Sequence, residues 1–127
     1  MKVEYIATDV QPLIRGLLQR GAEVWLIGSR ANGYSKPESD WDFIVFGEDS
    51  LVQELSKLPA PDNVDVLVVT DGKTFRSPWP RKSDGAYKQG ELEKWQWLRK
   101  SSSTATYEST KWPDDWGTER NALRIEE

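Results

Sequence analysis

The first 71 residues alternate between helix-like and strand-like patterns of apolar positions. Apolar side chains from Val10 to Leu18 recur at the spacing of one helix face, which predicts a helix over residues 10–20. Asp9 stands where the N-cap of this helix is expected, and Gly21 stands where the helix should end. The chain therefore begins with an amphipathic helix that needs an apolar surface to cover.

Three apolar runs further along predict β-strands, and a fourth predicts a second helix. The predicted strands span residues 23–28, 41–47 and 64–70, and the predicted helix spans residues 50–58 with Asp49 or Ser50 as its N-cap. The order helix–strand–strand–helix–strand is compatible with a small mixed β-sheet flanked by helices, an α+β (two-layer α/β) fold.

The pattern weakens after Gly72. Residues 75–90 are rich in turn-forming residues and predict a loop. Residues 91–112 are compatible with a strand and a short helix or with a hairpin, and we favour a strand over Trp95 and Trp97. We therefore expect a single domain over residues 1–127, with a core at about 10–71 and an irregular, tryptophan-rich extension at about 72–127.

Composition removes several classes of chemistry. The 127 residues include no cysteine and no histidine, which excludes disulfides, thiolate nucleophiles, iron–sulfur sites and Ser-His-Asp triads. A bound metal would be a hard cation on oxygen ligands. No apolar run approaches the roughly 18–20 residues of a membrane helix, and the N-terminus does not resemble a signal peptide, so we expect a soluble, cytoplasmic protein without membrane contact.

Charge is unevenly distributed in this chain of net charge −4. Residues 1–71 are net acidic, whereas residues 73–100 are net basic. This asymmetry suits a site that holds cations and a polyphosphate together, but ordinary surface variation explains it equally well.

Three acidic residues stand at the starts of predicted strands. Asp40 and Asp42 lie two positions apart, so they share one face of a strand whose remaining positions are apolar on both faces. Two carboxylates this close repel each other, and divalent cations between them would relieve the repulsion. Asp65 begins the next strand and joins them if the two strands are neighbours. Three carboxylates without histidine are typical of a magnesium site.

A glycine–serine turn supplies a complementary feature. Gly28 and Ser29 directly follow a predicted buried strand, where a glycine allows a ligand to approach the backbone closely. The N–H groups and the serine hydroxyl of such a turn can hold phosphate oxygens. Arg30 adds a cation beside them, although an arginine on a loop is equally often only solvated.

These residues form a recognisable signature. Gly28 and Ser29, a gap of ten residues, and then Asp40-Trp-Asp42-Phe resemble the motif of the DNA polymerase beta-like nucleotidyltransferase superfamily. The sequence GSRANG…SDWDFIVF is especially similar to that of the minimal nucleotidyltransferases of bacteria, their mobile elements and phages. Asp65 matches the third carboxylate of that family, which lies on a later strand.

The resemblance implies transfer of a nucleoside monophosphate from a nucleoside triphosphate to a hydroxyl, with release of pyrophosphate. Asp40 and Asp42 are then expected to bridge two Mg²⁺ ions, with Mn²⁺ as an alternative, and Asp65 to bind the acceptor-side ion and take the acceptor's proton. Gly28 and Ser29 are expected to hold the β- and γ-phosphates.

The resemblance covers residues 10–70 and leaves the acceptor open. A protein hydroxyl, a small molecule or a nucleic-acid end are all compatible with it, and at this size the acceptor pocket is expected to need a partner protein or a second copy of the chain. The alternative function is a non-catalytic nucleotide-sensing or partner-binding module, such as an antitoxin-like partner of a HEPN-type protein. Base stacking by Trp79, Trp112 or Trp116 is a further hypothesis that the sequence leaves open.

Overall fold

One mixed β-sheet organises the chain in the computed structural model, which describes residues 1–108 and 119–127. Over these residues its eight strands are β1 (Glu23–Ile27), β2 (Trp41–Phe46), β3 (Val64–Val69), β4 (Thr74–Arg76), β5 (Gln89–Glu91), β6 (Leu98–Arg99), β7 (Thr104–Glu108) and β8 (Glu119–Arg124). The α-helices are α1 (Gln11–Gln19), α2 (Ser29–Asn32) and α3 (Leu51–Ser56), and 3-10 turns occupy Val3–Tyr5 and Glu93–Trp95.

The strand order is β5-β4-β3-β2-β1-β8-β7-β6. Within the described residues, β2 and β3 run parallel and every other neighbouring pair is antiparallel. A parallel pair needs a crossover between its strands, and α3 lies in that crossover. The strand β8, from the C-terminal part of the chain, is inserted beside β1 in the middle of the sheet.

The periodic first half folds as its pattern predicts. The predicted ranges contain all five observed elements: α1, β1, β2, α3 and β3. As expected, β2 and β3 are neighbours in the sheet. Gly21 adopts a left-handed conformation (φ +81°) just after α1, as expected of a residue that ends a helix. The prediction that Asp9 caps α1 is wrong: the N-cap is Val10, with no side-chain cap hydrogen bond. Ser50 is the N-cap of α3, also without a side-chain cap bond.

The prediction of a small sheet with an irregular extension is wrong. Residues 74–108 and 119–124 supply five strands that continue the sheet on both sides of the first three. The favoured strand over Trp95 is also wrong, because Trp95 ends a 3-10 turn and Gln96 is left-handed, while the hairpin alternative is realised in β6 and β7. Trp112 and Trp116 lie outside the described residues.

Both faces of the sheet are buried, each against a different part of the chain. One face packs α1 and α3 through a cluster that includes Ile14, Leu17, Leu26, Phe43, Leu55 and Val66. The other face, which includes Trp25, Ile44 and Leu67, continues onto Tyr107 of β7 and Ala122 of β8, and Leu92, Trp95 and Trp97 pack against it. The C-terminal half therefore forms one side of the core. No helix of residues 1–108 or 119–127 is long and apolar enough to cross a membrane.

Candidate active site

The predicted site residues meet at one edge of the sheet. β1 is antiparallel to β2, so the end of β1 lies beside the start of β2, and Ile27 is the register partner of Asp42. β3 is parallel to β2, and Asp65 is the register partner of Asp42. Side chains at equivalent positions of neighbouring strands share a face, so the two carboxylates project together. Because side chains alternate along β2 and β3, both carboxylates lie on the sheet face of Ile44 and Leu67, against which Trp95 packs.

Gly28 lies directly against the carboxylate of Asp42. Its backbone has φ +74° and ψ −157°, a combination that is essentially restricted to glycine. A Cβ atom at this position would stand 2.5 Å from Oδ2 of Asp42. The glycine of the signature therefore makes room for the signature aspartate as well as allowing the turn.

Tyr107, on β7, fixes the same turn from the C-terminal half. The N–H of Gly28 donates a 2.8 Å hydrogen bond to the Tyr107 hydroxyl. Burial raises the pKa of Tyr107, and the negative charge of Asp42 acts in the same direction, so the phenol stays protonated at neutral pH. The Gly28 amide is thus paired within the protein, and the expected contact of Ser29 with phosphate stays a prediction.

Asn32 ties the short helix α2 to the inserted strand β8. Its side-chain amide donates to the carbonyls of Gly28 (2.8 Å) and Asn121 (3.1 Å), and its side-chain oxygen accepts from the N–H of Asn121 (2.8 Å). The turn after β1 is therefore held from two strands of the C-terminal half.

Arg30 holds the loop that leads to Asp40 and Asp42. Its guanidinium donates to the carbonyls of Ser39 (2.9 Å) and Pro37 (3.2 Å) and lies 4.5 Å from the centroid of the Trp41 ring. In this arrangement Arg30 fixes the backbone immediately before Asp40. Its expected contact with phosphate stays a prediction.

Asp40 and Asp65 line a cleft of about 780 Å³ between the start of β3 and the loop after β4. The same cleft is also lined by Arg81, Lys82 and Lys88. The Lys88 ammonium lies 3.4 Å from Oδ2 of Asp65. The cleft therefore joins the acidic edge of the sheet to the basic segment of the chain, and its size falls in the range of about 300–1,000 Å³ typical of small-molecule sites.

The comparison with protein families agrees with this geometry. A family model described as a nucleotidyltransferase domain matches residues 12–115, more than half of the chain. The chain belongs to the nucleotidyltransferase domain family. Neither the comparison with curated proteins nor that with solved structures found a match. The match extends well past residue 70, so this nucleotidyltransferase domain includes sheet strands that the motif resemblance alone did not cover.

The acidic residues of this nucleotidyltransferase domain are suitable donors for a hard divalent cation. Asp42 and Asp65 are register partners on neighbouring strands, and Asp40 lies two residues before Asp42. Carboxylate oxygens are the ligands that Mg²⁺ prefers. As the side chains stand, no three acidic groups among residues 1–108 and 119–127 are close enough together to hold a metal ion. Asp65 pairs with Lys88 instead, so convergence of all three on metal stays a prediction.

Sequence reasoning missed three residues at this nucleotidyltransferase site: Asn32, Lys88 and Tyr107. Asn32 lies within the stretch GSRANG but is given no role by the motif, whereas Lys88 and Tyr107 come from segments without a clear periodic pattern. The roles of Asn32 and Tyr107 follow from the strand order, which brings β7 and β8 to the turn after β1, and that of Lys88 follows from the pairing of β4 with β5. No local signal in the sequence indicates that order.

Proposed function

We propose that the protein is a metal-dependent nucleotidyltransferase that moves a nucleoside monophosphate from a nucleoside triphosphate to a hydroxyl acceptor. The observation that carries this proposal is the pairing of Asp42 with Asp65 beside Gly28, in a chain that belongs to the nucleotidyltransferase domain family. The acceptor oxygen attacks the α-phosphorus, the bond from the α-phosphorus to the β-bridging oxygen breaks, and pyrophosphate leaves.

The carboxylates would hold two Mg²⁺ ions, Asp40 and Asp42 bridging them and Asp65 binding on the acceptor side. When bound, such ions neutralise triphosphate charge and lower the pKa of the acceptor hydroxyl. Asp65 receives the acceptor's proton on a carboxylate oxygen. The Ser29 hydroxyl and N–H bind the terminal phosphates, at the turn that the backbone conformation of Gly28 allows. Catalysis of this kind depends mainly on positioning and charge neutralisation.

The cleft beside Asp65 is the proposed acceptor site. It opens next to two of the three carboxylates, and it is lined with both cationic and aromatic side chains. The acceptor is a hydroxyl on a protein, a small molecule or a nucleic-acid end, and a partner protein or second copy of the chain would contribute to recognising a large one. A purely nucleotide-sensing module would not require three carboxylates, so that alternative is not favoured.

Label transfer from radiolabelled nucleoside triphosphates tests the proposal. The protein is incubated with Mg²⁺ or Mn²⁺ and a panel of hydroxyl acceptors, and the experiment is repeated with Asp42→Asn. We expect transfer to fall by about 100-fold or more, because the charge that binds the metal is lost. Asp49→Asn is the matched control, since Asp49 is an exposed aspartate beyond the opposite end of β2.

A thermal-shift measurement accompanies the transfer assay. Magnesium together with a triphosphate should stabilise the wild type and Asp49→Asn, but not the double variant Asp40→Asn, Asp42→Asn. Nucleotide binding without turnover on any acceptor would contradict the proposed activity and support the sensing module.

A further inference from the structure

The cleft beside Asp65 exists because β4 pairs with only part of β3. Within the described residues, β4 pairs with β3 at Val68 and Val69, near the end of that strand. The chain then leaves the sheet after β4 and returns at β5, so no strand of the described part flanks the Asp65 end of β3 on this side. The side chain of Lys88 spans the resulting gap and meets Asp65.

Lys88 is held in place by its own backbone. Its carbonyl accepts a 2.8 Å hydrogen bond from the N–H of Ser77, and the next residue, Gln89, is the register partner of Arg76. The hairpin of β4 and β5 thus fixes the start of the lysine side chain. Only the flexible part of that side chain needs to move for its ammonium to leave Asp65.

The Lys88–Asp65 pair is better shielded from water than the neighbouring Lys82–Asp62 pair. The Lys88 and Asp65 side chains are 32% and 35% exposed, whereas those of Lys82 and Asp62 are 81% and 87% exposed. Shielding strengthens an ion pair, while a fully exposed pair contributes little. Lys88 is therefore an effective counter-ion for a carboxylate at the acidic edge of the sheet.

We infer that Lys88 is a positioning residue that occupies the cation position at Asp65 in the metal-free protein and competes there with the divalent ion. The inference rests on the proposed function, in which Asp65 is a metal ligand. The ammonium lies beside Oδ2 of Asp65 and would repel a divalent ion bound to the same carboxylate, so metal binds better when the ammonium moves away. Lys88 therefore weakens binding of metal alone.

Binding of Mn²⁺ without nucleotide tests this inference, with the free ion measured by electron paramagnetic resonance. Lys88→Met removes the ammonium but keeps an unbranched side chain, and it should bind Mn²⁺ about three- to fivefold more tightly than the wild type. Lys88→Arg retains the charge and should bind like the wild type. Lys82→Met is the matched control, because it removes the same charge from the exposed pair across the same cleft.

A second substitution locates the effect at Asp65. In Lys88→Met combined with Asp65→Asn, the gain in Mn²⁺ affinity should disappear. The inference is overturned if Lys88→Met binds Mn²⁺ no more tightly than the wild type, if Lys82→Met gives the same gain, or if the gain survives Asp65→Asn. Nucleotide transfer by the wild type is assayed separately, so absent transfer with an intact Mn²⁺ effect contradicts the proposed function alone.

Discussion

At the scale of single residues, Gly28 satisfies two requirements at once. Its φ of +74° with extended ψ is a conformation that other residues adopt at a cost of about 1–3 kcal/mol. Its hydrogen-only side chain also leaves the space that Oδ2 of Asp42 occupies. Backbone conformation and carboxylate position are therefore coupled in one residue.

Gly28→Ala should lower stability and also displace the Asp42 carboxylate. We expect a loss of about 1–3 kcal/mol in the free energy of unfolding, measured by urea denaturation, together with weaker Mn²⁺ binding. Gly33→Ala is the control, because Gly33 has a similar φ of +79° but nothing within 4 Å of an added Cβ. Equal Mn²⁺ affinities in the two variants would show that the contact with Asp42 has no role in metal binding.

At the scale of elements, the turn between β3 and β4 is built on one carboxylate. Asp71 accepts 2.8 Å hydrogen bonds from the N–H groups of Lys73 and Thr74 on Oδ1, and from the Thr74 hydroxyl on Oδ2. The backbone N–H of Thr74, followed by that of Lys73, lowers the pKa of Asp71 to about 2. The ionised form is thus favoured by folding, and the turn directs β4 back along β3.

The contribution of Asp71 to stability should depend on pH. Because its pKa is lower in the folded protein than in the unfolded chain, the contribution is complete above about pH 4 and is lost as the pH falls toward about 2. The destabilisation caused by Asp71→Asn, measured as a shift in urea midpoint, should therefore shrink over that interval. The control is Asp9→Asn, at an exposed aspartate outside the turn. If Asp71→Asn destabilised the protein as much at about pH 2 as at about pH 6, the ionised Asp71 carboxylate would not be the source of this stability.

The elements that the sequence predicts correctly are those long enough to repeat a pattern. α1 shows more than two turns of apolar spacing, and β2 and β3 are continuous apolar runs. β4, β5 and β6 have only two or three residues, which is too short to display alternation, and they form because neighbouring strands accept their hydrogen bonds. The site residues differ in the same way. Asp42 belongs to a local motif that the sequence displays, whereas Tyr107 reaches the site only through the order of the strands.

At the scale of the whole molecule, the second apolar cluster joins the two halves of the chain. Trp25, Ile44 and Leu67 come from the first half, and Tyr107 and Ala122, which belong to the same cluster, come from the second. All five side chains are buried. The predicted core of residues 10–71 therefore presents one sheet face that only later residues bury.

A fragment of residues 1–71 should not fold cooperatively. It would expose most of the apolar face formed by Trp25, Ile44 and Leu67, and each such side chain contributes about 1.5–3 kcal/mol when buried. Urea denaturation followed by circular dichroism should show a broad, gradual change instead of the sharp transition of the full chain. A sharp transition in the fragment would show that the first half is a self-sufficient domain.

The insertion of β8 beside β1 has a consequence for synthesis on the ribosome. The signature residues are translated early. The strand β8, which pairs with β1 and carries Asn121, the partner of Asn32, is translated only much later. During translation the nascent chain carries the chemical groups of the site without the scaffold that orders them. The turn after β1 should therefore become fully ordered only once this late-emerging strand has docked beside β1.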